Sequence, residues 1–331
     1  MVVEIPKADF CFIHLSDIHF RKGHSCDPHD EDALLRHEIE RDLRQLKSEL
    51  PRLDAIVVTG DIAFAGKREE YELASNWLKR IGELVGCNSG SILVTPGNHD
   101  IDRSKLPDGC EIRALHENVR GANSEQRKQR LAEILRDARK SSQLFEPLEE
   151  YNRFAEQYGC AVSPSHPFWE RDFQLPDKTV LRLRGITTTF ISGPLDDIDT
   201  HRMMYGTAQV TVLRDDNMRV VVLGHHPPSW TYEGQDADQA FSIMSIIQAY
   251  GHRHQQWHAQ NGNSVRIIAG AVHPDRREPQ WGPRYAAICI NKLGTGQLEI
   301  RIFPRRWSGE VMAFIPDINR EREDFRRYLV N

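Results

Sequence analysis

The sequence VTPGNHDID, residues 94–102, places an asparagine, a histidine and two aspartates in a tight turn directly after an apolar run. Pro-Gly is a turn signal by itself, and Asn and Asp favour turns because their side chains bond to nearby backbone groups. The segment is therefore either an ordinary polar loop or a site that presents Asn98 as a metal ligand and His99 as a proton donor. Partners elsewhere in the chain decide between these two interpretations.

The runs that precede this turn predict an α/β fold with a largely parallel sheet. Three short apolar segments each end in a polar or glycine turn, namely CFIHLS (11–16), DAIVVTG (54–60) and SILVTPG (91–97). The segments between them carry apolar residues at helical spacing, and the second helix closes on Gly86, which favours a C-terminal cap. Strands that alternate with helices indicate βαβ units, whose functional residues collect at the carboxyl ends of the strands.

The pattern changes after residue 102. Residues from about 103 to 178 predict two helices and a proline-interrupted loop, which we interpret as a helical lid inserted over the site. Strand-like runs then resume and follow one another closely, so we expect the second half to contribute an antiparallel-rich sheet. We predict one domain over residues 1–310 and a mixed-charge helix or tail over residues 311–331.

Composition limits the class of protein. The net charge of −5 argues against a general nucleic-acid-binding surface, although a local basic patch stays open, and no apolar run approaches the roughly 20 residues of a membrane span. The six cysteines are scattered without a Cys-x-x-Cys pair, which is typical of reduced thiols in a chain of 331 residues. The N-terminus lacks the pattern of a secretion signal. We therefore expect a cytoplasmic protein.

Side chains of the types that bind metal ions lie at the ends of five separate extended runs, or next to them. They are Asp17 and His19 in LSDIHF, Asp61 in VTGDIAF, Asn98 and His99 in the opening turn, His225 and His226 in HHPPSW, and His252 and His254 in YGHRHQQWH. Each motif alone is weak, since a single Asp-x-His or Gly-Asp is more often an ordinary loop. Five of them in order along the chain are hard to obtain by chance, so we expect them to converge at one edge of the sheet.

These residue types suit two metal ions that act together on a phosphoester. Two cations about 3.5–4 Å apart can hold the attacking and leaving oxygens of a phosphoryl transfer, and a water that bridges them is acidified towards hydroxide. A carboxylate such as Asp61 can span both ions, and imidazole with carboxylate suits Mn, Fe, Zn or Co. His99, beside a ligand but not needed as one, could protonate the leaving alkoxide, and Asp100 could hold the orientation of its ring.

The ordered series of motifs resembles the calcineurin-like metallophosphoesterases over about residues 10–305. The resemblance implies a four-layer α/β/β/α sandwich of two mixed sheets flanked by helices, with two divalent ions (Mn or Fe, with Zn or Ni as alternatives) at the sheet edge. It implies two sets of four ligands, namely Asp17, His19, Asp61 and His254 for one ion, and Asp61, Asn98, His225 and His252 for the other. Of the paired histidines, His225 is the preferred ligand and His226 the alternative. His99 would assist the leaving group.

The family contains protein phosphatases, nucleotide phosphodiesterases and nucleases, so the fold does not choose the substrate. The segments FIHLSDIHF, GNHDIDR, HHPPSW and RIFPRRW look similar to bacterial enzymes of the cyclic-nucleotide phosphodiesterase and genome-defence type. We predict a phosphodiesterase that acts on a nucleotide, a cyclic nucleotide or a nucleic acid. The alternatives are a phosphomonoesterase that uses the same site and a non-catalytic interaction module. A homo-oligomer or a partner protein in a larger assembly is also open.

Three further residues are candidates for substrate contact. Arg103 could bind a phosphate oxygen, although a structural ion pair is an equal alternative. His226 and Trp257 lie beside proposed ligands, and Trp257 could stack on a base or simply pack. Residues 120–140 contain seven basic and three acidic side chains. This excess could attract a polyanion, but a solvated helix face is the more common outcome.

Overall fold

The computed structural model describes residues 8–23, 30, 32–194, 196, 202–212, 215–278, 282–294, 296–317 and 325–331. The described helices are Ala33–Glu49 (α1), Arg68–Val85 (α2), Glu111–Arg120 (α3), Ser124–Arg136 (α4), Ala138–Phe145 (α5), Glu149–Ala155 (α6), Thr207–Val210 (α7) and Gly234–Met244 (α8). The described strands are Phe10–Leu15 (β1), Ala55–Thr59 (β2), Ile92–Thr95 (β3), Trp169–Gln174 (β4), Val180–Gly185 (β5), Met218–Leu223 (β6), Ile247–Tyr250 (β7), Trp257–Asn261 (β8), Ser264–Ile268 (β9), Arg284–Lys292 (β10), Leu298–Ser308 (β11), Ala313–Pro316 (β12) and Arg326–Val330 (β13).

The first sheet contains the strands that the opening motifs predict. Its order is β12-β11-β10-β1-β2-β3, and β13 also pairs with β11. β1, β2 and β3 are parallel to one another, with α1 and α2 as the crossovers, so the predicted βαβ units are confirmed. Gly86 ends α2 with a φ of 90°, in the left-handed region that glycine tolerates. The antiparallel strands β10 and β11 extend the sheet beyond β1.

The second sheet has the order β4-β5-β6-β7-β9-β8. Its four central strands are parallel, and only the edge strands β4 and β8 are antiparallel to their neighbours. The expected antiparallel-rich sheet is therefore wrong for this sheet, whereas β10 to β13, also from the second half, pair antiparallel in the first sheet. The closely spaced runs at the end of the chain, β10 and β11, join the first sheet, while α8 provides a crossover between β6 and β7.

The two faces of β6 show how the layers stack. Val221 and Leu223 belong to the large core that also contains the residues of β1, β2 and β3. Val220 and Val222 belong to a second apolar cluster, which they form with Phe241 of α8. Because alternate residues of a strand point to opposite faces, one face of this sheet packs on the main core and the other on a helix. This is the four-layer α/β/β/α sandwich with two mixed sheets.

The segment between β3 and β5 is helical only in its first part. Helices α3 to α6 occupy residues 111–155, and α6 packs on α2. The predicted proline-interrupted loop contains β4, which pairs with β5 from Trp169 opposite Gly185 to Gln174 opposite Val180. The insertion is therefore a helical segment followed by an edge strand, and its role as a lid stays a prediction.

The basic side chains of the insertion make local contacts. Arg127 donates to the carbonyl oxygen of Ala122 at 2.7 Å, and Arg130 donates to that of Asn118 at 3.0 Å. The second bond satisfies a carbonyl group in the last turn of α3, which the helix leaves without an internal partner, and the first lies just beyond the end of the helix. Arg139 pairs with Glu111 at 3.1 Å. These contacts favour the structural interpretation of the basic excess over a polyanion surface.

The C-terminal segment differs from the expected helix or tail. β12 pairs with β11 from Ala313 opposite Ser308 to Pro316 opposite Arg305, and β13 pairs with the other end of β11. Residues 318–324 of the mixed-charge segment lie outside the described residues, and Arg326 and Arg327 belong to strand β13. How the chain divides into domains stays a prediction.

The cysteines differ in part from the expectation. Cys11 in β1 and Cys289 in β10 lie opposite each other and form a disulfide, so the expectation of reduced thiols is wrong for this pair. Cys87, Cys110 and Cys160 are not bonded to another cysteine, and Cys26 lies outside the described residues. Within the described residues, no helix combines the length and the apolar character needed to cross a membrane.

A buried ion pair joins α1 to the antiparallel side of the first sheet. The carboxylate of Asp42 accepts a hydrogen bond from Arg305 Nε at 2.8 Å, and it also accepts the hydroxyl of Tyr285. We expect Asp42→Ala to lower the free energy of unfolding by about 3–5 kcal/mol, because the guanidinium of Arg305 would stay buried without its counter-charge. Urea unfolding measures this change.

The matched control is the exposed pair of Arg68 and Glu72, whose atoms lie 3.0 Å apart on the surface of α2. Glu72→Ala should change the same free energy by less than about 1 kcal/mol, since surface ion pairs contribute little. Similar losses for the two variants would contradict the importance of the buried pair.

Candidate metal centre

All five motif segments lie at the carboxyl ends of parallel strands. Three follow β1, β2 and β3 in the first sheet, and two follow β6 and β7 in the second. Hydrogen bonds join the neighbouring turns, with the backbone N–H of Asp17 donating to Gly60 at 3.1 Å and that of Gly251 donating to His225 at 3.0 Å. The fold therefore brings segments from both sheets to one edge of the sandwich.

The backbone of these turns adopts an unusual conformation. Of the seven described non-glycine residues with positive φ, five belong to the predicted site: Asp17, His19, Asp61, His252 and His254. Their φ values lie between 51° and 69°, in the left-handed region that costs an ordinary residue free energy. Such conformations persist only where the surroundings impose them, and they concentrate at functional sites.

Two glycines allow the turns to approach one another closely. A Cβ atom on Gly97 would lie 2.1 Å from Oδ1 of Asp61, and one on Gly60 would lie 2.6 Å from Nδ1 of His225. Both distances are far shorter than real contacts, so any larger residue would displace these side chains. The glycines of the Gly-Asp and Gly-Asn motifs are therefore needed because a side chain would not fit, in addition to the conformational freedom that glycine gives a turn.

The carboxylate of Asp61 lies at the centre of the cluster. Its Oδ2 is 3.4 Å from Nε2 of His19 and 3.2 Å from Nε2 of His225, while its Oδ1 accepts the backbone N–H of His99 at 2.8 Å. Asp61 is buried and contacts side chains from both sheets. It is therefore the carboxylate that joins the two halves of the cluster.

A second carboxylate, Asp17, faces the last motif. Its Oδ1 is 3.3 Å from Nε2 of His254, and its Oδ2 accepts the backbone N–H of His252 at 3.3 Å. The other ring nitrogen of His254, Nδ1, donates to Glu278 Oε1 at 2.7 Å. Glu278 therefore orients His254 from behind, a role that the sequence did not indicate.

The amide of Asn98 contacts both paired histidines. Its Oδ1 lies 3.1 Å from Nε2 of His225 and 3.1 Å from Nε2 of His226. His225 also faces Asp61, whereas Nδ1 of His226 lies 2.7 Å from the hydroxyl of Thr188. The structure brings both rings to the cluster, and only His225 of the two contacts the central carboxylate.

The chemistry of this donor set fits a divalent metal. Nδ1 of His225 faces the carbonyl oxygen of Thr59 at 2.8 Å, so in the neutral ring Nδ1 carries the hydrogen and Nε2 accepts. That Nε2 then faces two further acceptors, the oxygens of Asp61 and Asn98. Acceptors that face one another in a buried site need either a proton or a metal cation between them.

The pKa values of two histidines also indicate that the metal-free cluster holds protons between its acceptor atoms. Burial alone would lower the pKa of His225, but the charge of Asp61 raises it to about 9. Burial would likewise lower the pKa of His254, but the charge of Asp17 raises it to about 10. Protons therefore hold the place of cations in the metal-free cluster, and binding of a metal would release them.

The potential ligand atoms form one continuous set. Four groups of three side chains each bring one such atom within 4.8 Å of the others: His225, His226 and His252; Asp17, Asp61 and His225; His19, Asp61 and His99; and Asp17, His19 and His254. Neighbouring groups share members, so the described ligand atoms are continuous along this edge. All seven side chains predicted as ligands lie within this set or contact it.

His99 and Asp100 have different surroundings. Nδ1 of His99 faces the carbonyl oxygen of Phe64 at 2.8 Å, and the ring lies 4.8 Å from that of His19. Asp100 is fully buried, and its carboxylate accepts backbone N–H groups of Ala63 at 2.9 Å and Gly97 at 2.8 Å. Asp100 was expected to orient the ring of His99. Its observed bonds instead join the Gly-Asn-His-Asp turn to the Gly-Asp turn.

The predicted substrate residues have separate positions. Burial has the largest effect on the pKa of His99 and lowers it. After the effects of its other neighbours, the charge of Arg103 lowers this pKa further by a smaller amount, so Arg103 lies near that ring. Trp257 begins the edge strand β8 and is 52% exposed. None of the contacts described for the cluster involves it. His226 is part of the cluster itself.

Two aromatic rings that the sequence analysis did not select border the site. The ring of Trp230 lies 4.1 Å from that of His252 and 6.4 Å from that of His226. The ring of Phe64 lies 5.3 Å from that of His99, at the other end of the histidine cluster. Trp230 is four residues after the paired histidines and Phe64 three after Asp61, so closeness to the motifs was the only signal.

The chain is similar to known proteins in both sequence and structure. A sequence model of the calcineurin-like phosphoesterase family matches residues 11–256, whereas no curated protein matches the chain. The structure of a purple acid phosphatase from yellow lupin has a TM-score of 0.52 at 10% identity, with 97% of this chain and 53% of that chain covered. This likeness supports the fold alone.

Two other solved structures are less similar. One is a 5′-nucleotidase from Staphylococcus aureus, with a TM-score of 0.45, 15% identity, and 88% of this chain and 52% of that chain covered. The other is Vps29 from Entamoeba histolytica in complex with zinc, with a TM-score of 0.39, 10% identity, and 97% and 100% of the two chains covered. This chain spans about half the length of the nucleotidase and of the lupin phosphatase.

Proposed function

The chain belongs to the calcineurin-like phosphoesterase family, and on that basis we propose that it is a two-metal phosphodiesterase acting on a nucleotide or a nucleic acid. The family is one of phosphoester hydrolases, and the histidine and aspartate groups suit divalent metal ions. The two proposed ligand sets are those of the resemblance: Asp17, His19, Asp61 and His254, and Asp61, Asn98, His225 and His252.

The position of Asp61 supports a centre with two ions. Its Oδ2 faces His19 on one side and His225 on the other, and the remaining ligands divide between these sides. Two divalent ions, when bound, would supply the positive charge that acidifies a water and stabilises the phosphoryl transfer. Asp61 would keep the ions close because its anionic charge reduces the repulsion between them.

His99 is the proposed acid for the leaving group. Because its Nδ1 faces a backbone carbonyl oxygen, Nδ1 carries a hydrogen in the neutral ring, and Nε2 is the atom that can gain and donate a proton. The ring lies beside His19 and Asp61 in the same group of potential ligand atoms. A proton on Nε2 could therefore reach an oxygen that departs from the phosphorus.

The aromatic rings at the two ends of the cluster are the reason for proposing a diester as the substrate in place of a monoester. Phe64 adjoins His99 and His19, whereas Trp230 adjoins His252 and His226. A diester has an organic group on each side of the phosphorus, and aromatic rings are suited to nucleobases on both sides. A monoester has an organic group on one side only and would use only one of these rings.

The helical insertion is the proposed lid. Arg120, the last residue of α3, donates to the carbonyl oxygen of Ile191 at 2.6 Å. Ile191 ends a short turn that starts next to Thr188, the partner of His226. The insertion therefore contacts the loop that supports the metal cluster, and a lid in this place would restrict access to it.

The test is a comparison of two chromogenic esters. Metal-free protein would be restored with Mn²⁺ and assayed on bis-p-nitrophenyl phosphate and p-nitrophenyl phosphate. We expect kcat/KM for the diester to exceed that for the monoester by at least about tenfold, which is 1.4 kcal/mol of transition-state stabilisation. Hydrolysis of the monoester alone would replace this proposal by a phosphomonoesterase, and failure to bind any metal would refute it.

Several predictions from the sequence stay predictions. They are the choice of Mn or Fe before Zn or Ni, the cytoplasmic location, the bacterial defence context, and an oligomer or a partner protein. Metal analysis of the protein as isolated answers the first of them.

A further inference from the structure

The segment of residues 272–278 contacts side chains that were assigned to one of the two ions. The backbone N–H of His273 donates to the carbonyl oxygen of Asp17 at 3.1 Å, and the carbonyl oxygen of His273 lies 3.5 Å from Nδ1 of His19. The ring of His273 is buried, and its Nδ1 lies 2.5 Å from the carbonyl oxygen of Ile18. This end of the segment is therefore fixed on the turn that carries Asp17 and His19.

The other end of the segment holds His254. Oε1 of Glu278 accepts the N–H at Nδ1 of His254 at 2.7 Å and the backbone N–H of Asp275 at 2.9 Å. The backbone N–H of Glu278 donates back to the carbonyl oxygen of Asp275 at 2.9 Å, so the turn is closed on itself. The side chains of His254 and Glu278 are 24% and 31% exposed, so a substitution at Glu278 opens no cavity in the core.

A carboxylate behind the ring distinguishes His254 from two other proposed histidine ligands. Nδ1 of His225 faces the neutral carbonyl oxygen of Thr59 at 2.8 Å, and Nδ1 of His19 faces that of His273 at 3.5 Å. A partner behind a histidine ligand fixes its tautomer and raises the basicity of the nitrogen that faces the metal. A carboxylate does so more strongly than a neutral carbonyl, because its negative charge stabilises the positive charge that the ring gains.

We propose that Glu278 strengthens metal binding at one position of the centre and not at the other. The position that it serves is the first of the two proposed ligand sets, namely Asp17, His19, Asp61 and His254. The inference rests on the proposed function for the assignment of these sets. Glu278 is a positioning residue, because it contacts the ligand and not the metal. It keeps a hydrogen on Nδ1 of His254, which leaves Nε2 as the acceptor on the side of Asp17.

The test is a measurement of metal affinity, which does not depend on activity. Metal-free protein is titrated with Mn²⁺ in a calorimeter, and the parent protein should bind two ions. Glu278→Ala should weaken the binding of one ion by about 10–100-fold, the usual effect of removing such a partner, and leave the other dissociation constant unchanged. Glu278→Gln keeps an acceptor oxygen without the charge, so its loss should be smaller than that of Glu278→Ala.

The matched control lies in the same turn. Oδ1 of Asp275 accepts the backbone N–H of Arg277 at 2.9 Å. Asp275→Ala removes this bond and a negative charge from the turn, but it retains the carboxylate of Glu278 and the backbone N–H that this carboxylate accepts. Both dissociation constants should stay as in the parent protein. Equal losses in Asp275→Ala and Glu278→Ala would mean that the shape or the charge of the turn affects the metal, and the inference would be overturned.

Two further backgrounds identify the position. His225→Ala removes a ligand of the second proposed set, and Glu278→Ala should still weaken the ion that is left. His254→Ala removes the ring that Glu278 contacts, so Glu278→Ala should have no further effect in that background. A loss of affinity that persists without His254 would mean that Glu278 acts by another route, which also overturns the inference.

The outcomes separate this inference from the proposed function. Two ions of unchanged affinity in Glu278→Ala overturn the role of Glu278, while diester hydrolysis by the parent protein stands. One weakened ion, in a protein that hydrolyses neither chromogenic ester, supports the role of Glu278 and refutes the proposed function. A parent protein that binds neither Mn²⁺ nor Zn²⁺ refutes both.

Discussion

Asp61→Asn is expected to lower kcat/KM for diester hydrolysis by about 10³-fold or more and to reduce the number of bound metal ions. The substitution preserves the shape of the side chain but removes the charge that faces His19 and His225. Charge stabilisation by a bound ion contributes several kcal/mol to phosphoryl transfer, and each 1.4 kcal/mol is a factor of ten. Metal analysis after dialysis and steady-state kinetics on bis-p-nitrophenyl phosphate measure both effects.

The control for this experiment lies at the opposite end of the same strand. Asp54 precedes β2 at the end remote from the site, where its carboxylate accepts the backbone N–H of Cys11 at 2.8 Å. Asp54→Asn should leave both the metal content and the activity close to those of the parent protein. If Asp61→Asn kept its full metal content and its activity, Asp61 would not be a ligand, and the proposal of a shared carboxylate would fail.

The first half of the fold could be predicted from the sequence because its signals are local. β1, β2 and β3 are apolar runs with turn residues behind them, and α1 and α2 have apolar residues at helical spacing. Parallel strands then bring their carboxyl ends together. The prediction that the motif residues converge follows from those two facts without any knowledge of distances.

The second half could not be predicted because its strands depend on distant partners. β7 has only four residues, and β4 lies in a segment with prolines on both sides, so neither has a clear local pattern. β12 and β13 pair with β11, and the disulfide joins cysteines 278 residues apart in the chain. Such pairings depend on the assembled sheet, which a single sequence does not display.

The sequence motifs predicted which side chains lie together at the sheet edge but missed the residues that support them, and the role of these side chains as ligands stays a prediction. Glu278 lies 24 residues after His254, in a loop with no pattern that links the two side chains. Asp100 was assigned by its closeness to His99 in the chain, yet its carboxylate is taken by backbone N–H groups and by the hydroxyl of Tyr71 at 3.0 Å. Adjacent residues in a tight turn point in different directions, so closeness in the sequence is a poor guide to contact.

His99→Asn is expected to show a loss of activity that depends on the leaving group. A nucleoside alkoxide needs a proton as it departs, whereas p-nitrophenolate is stable without one. We therefore expect kcat/KM to fall by about 10²–10⁴-fold on a dinucleotide, the range of general acid catalysis, and by less than about tenfold on bis-p-nitrophenyl phosphate. Comparison of the two substrates in the same preparation removes any error from partial loss of metal.

The surroundings of His99 explain why it can serve as this acid. Burial lowers the pKa of His99, although the charge of Asp61 opposes the effect, so the protonated ring is a stronger acid than an exposed histidine. Its Nδ1 is held by the carbonyl oxygen of Phe64, which keeps Nε2 as the donor. His166→Asn, at a histidine that contacts Ser165 in an exposed turn, should affect neither substrate. Equal losses on both substrates in His99→Asn would assign His99 to the metal centre rather than to proton transfer.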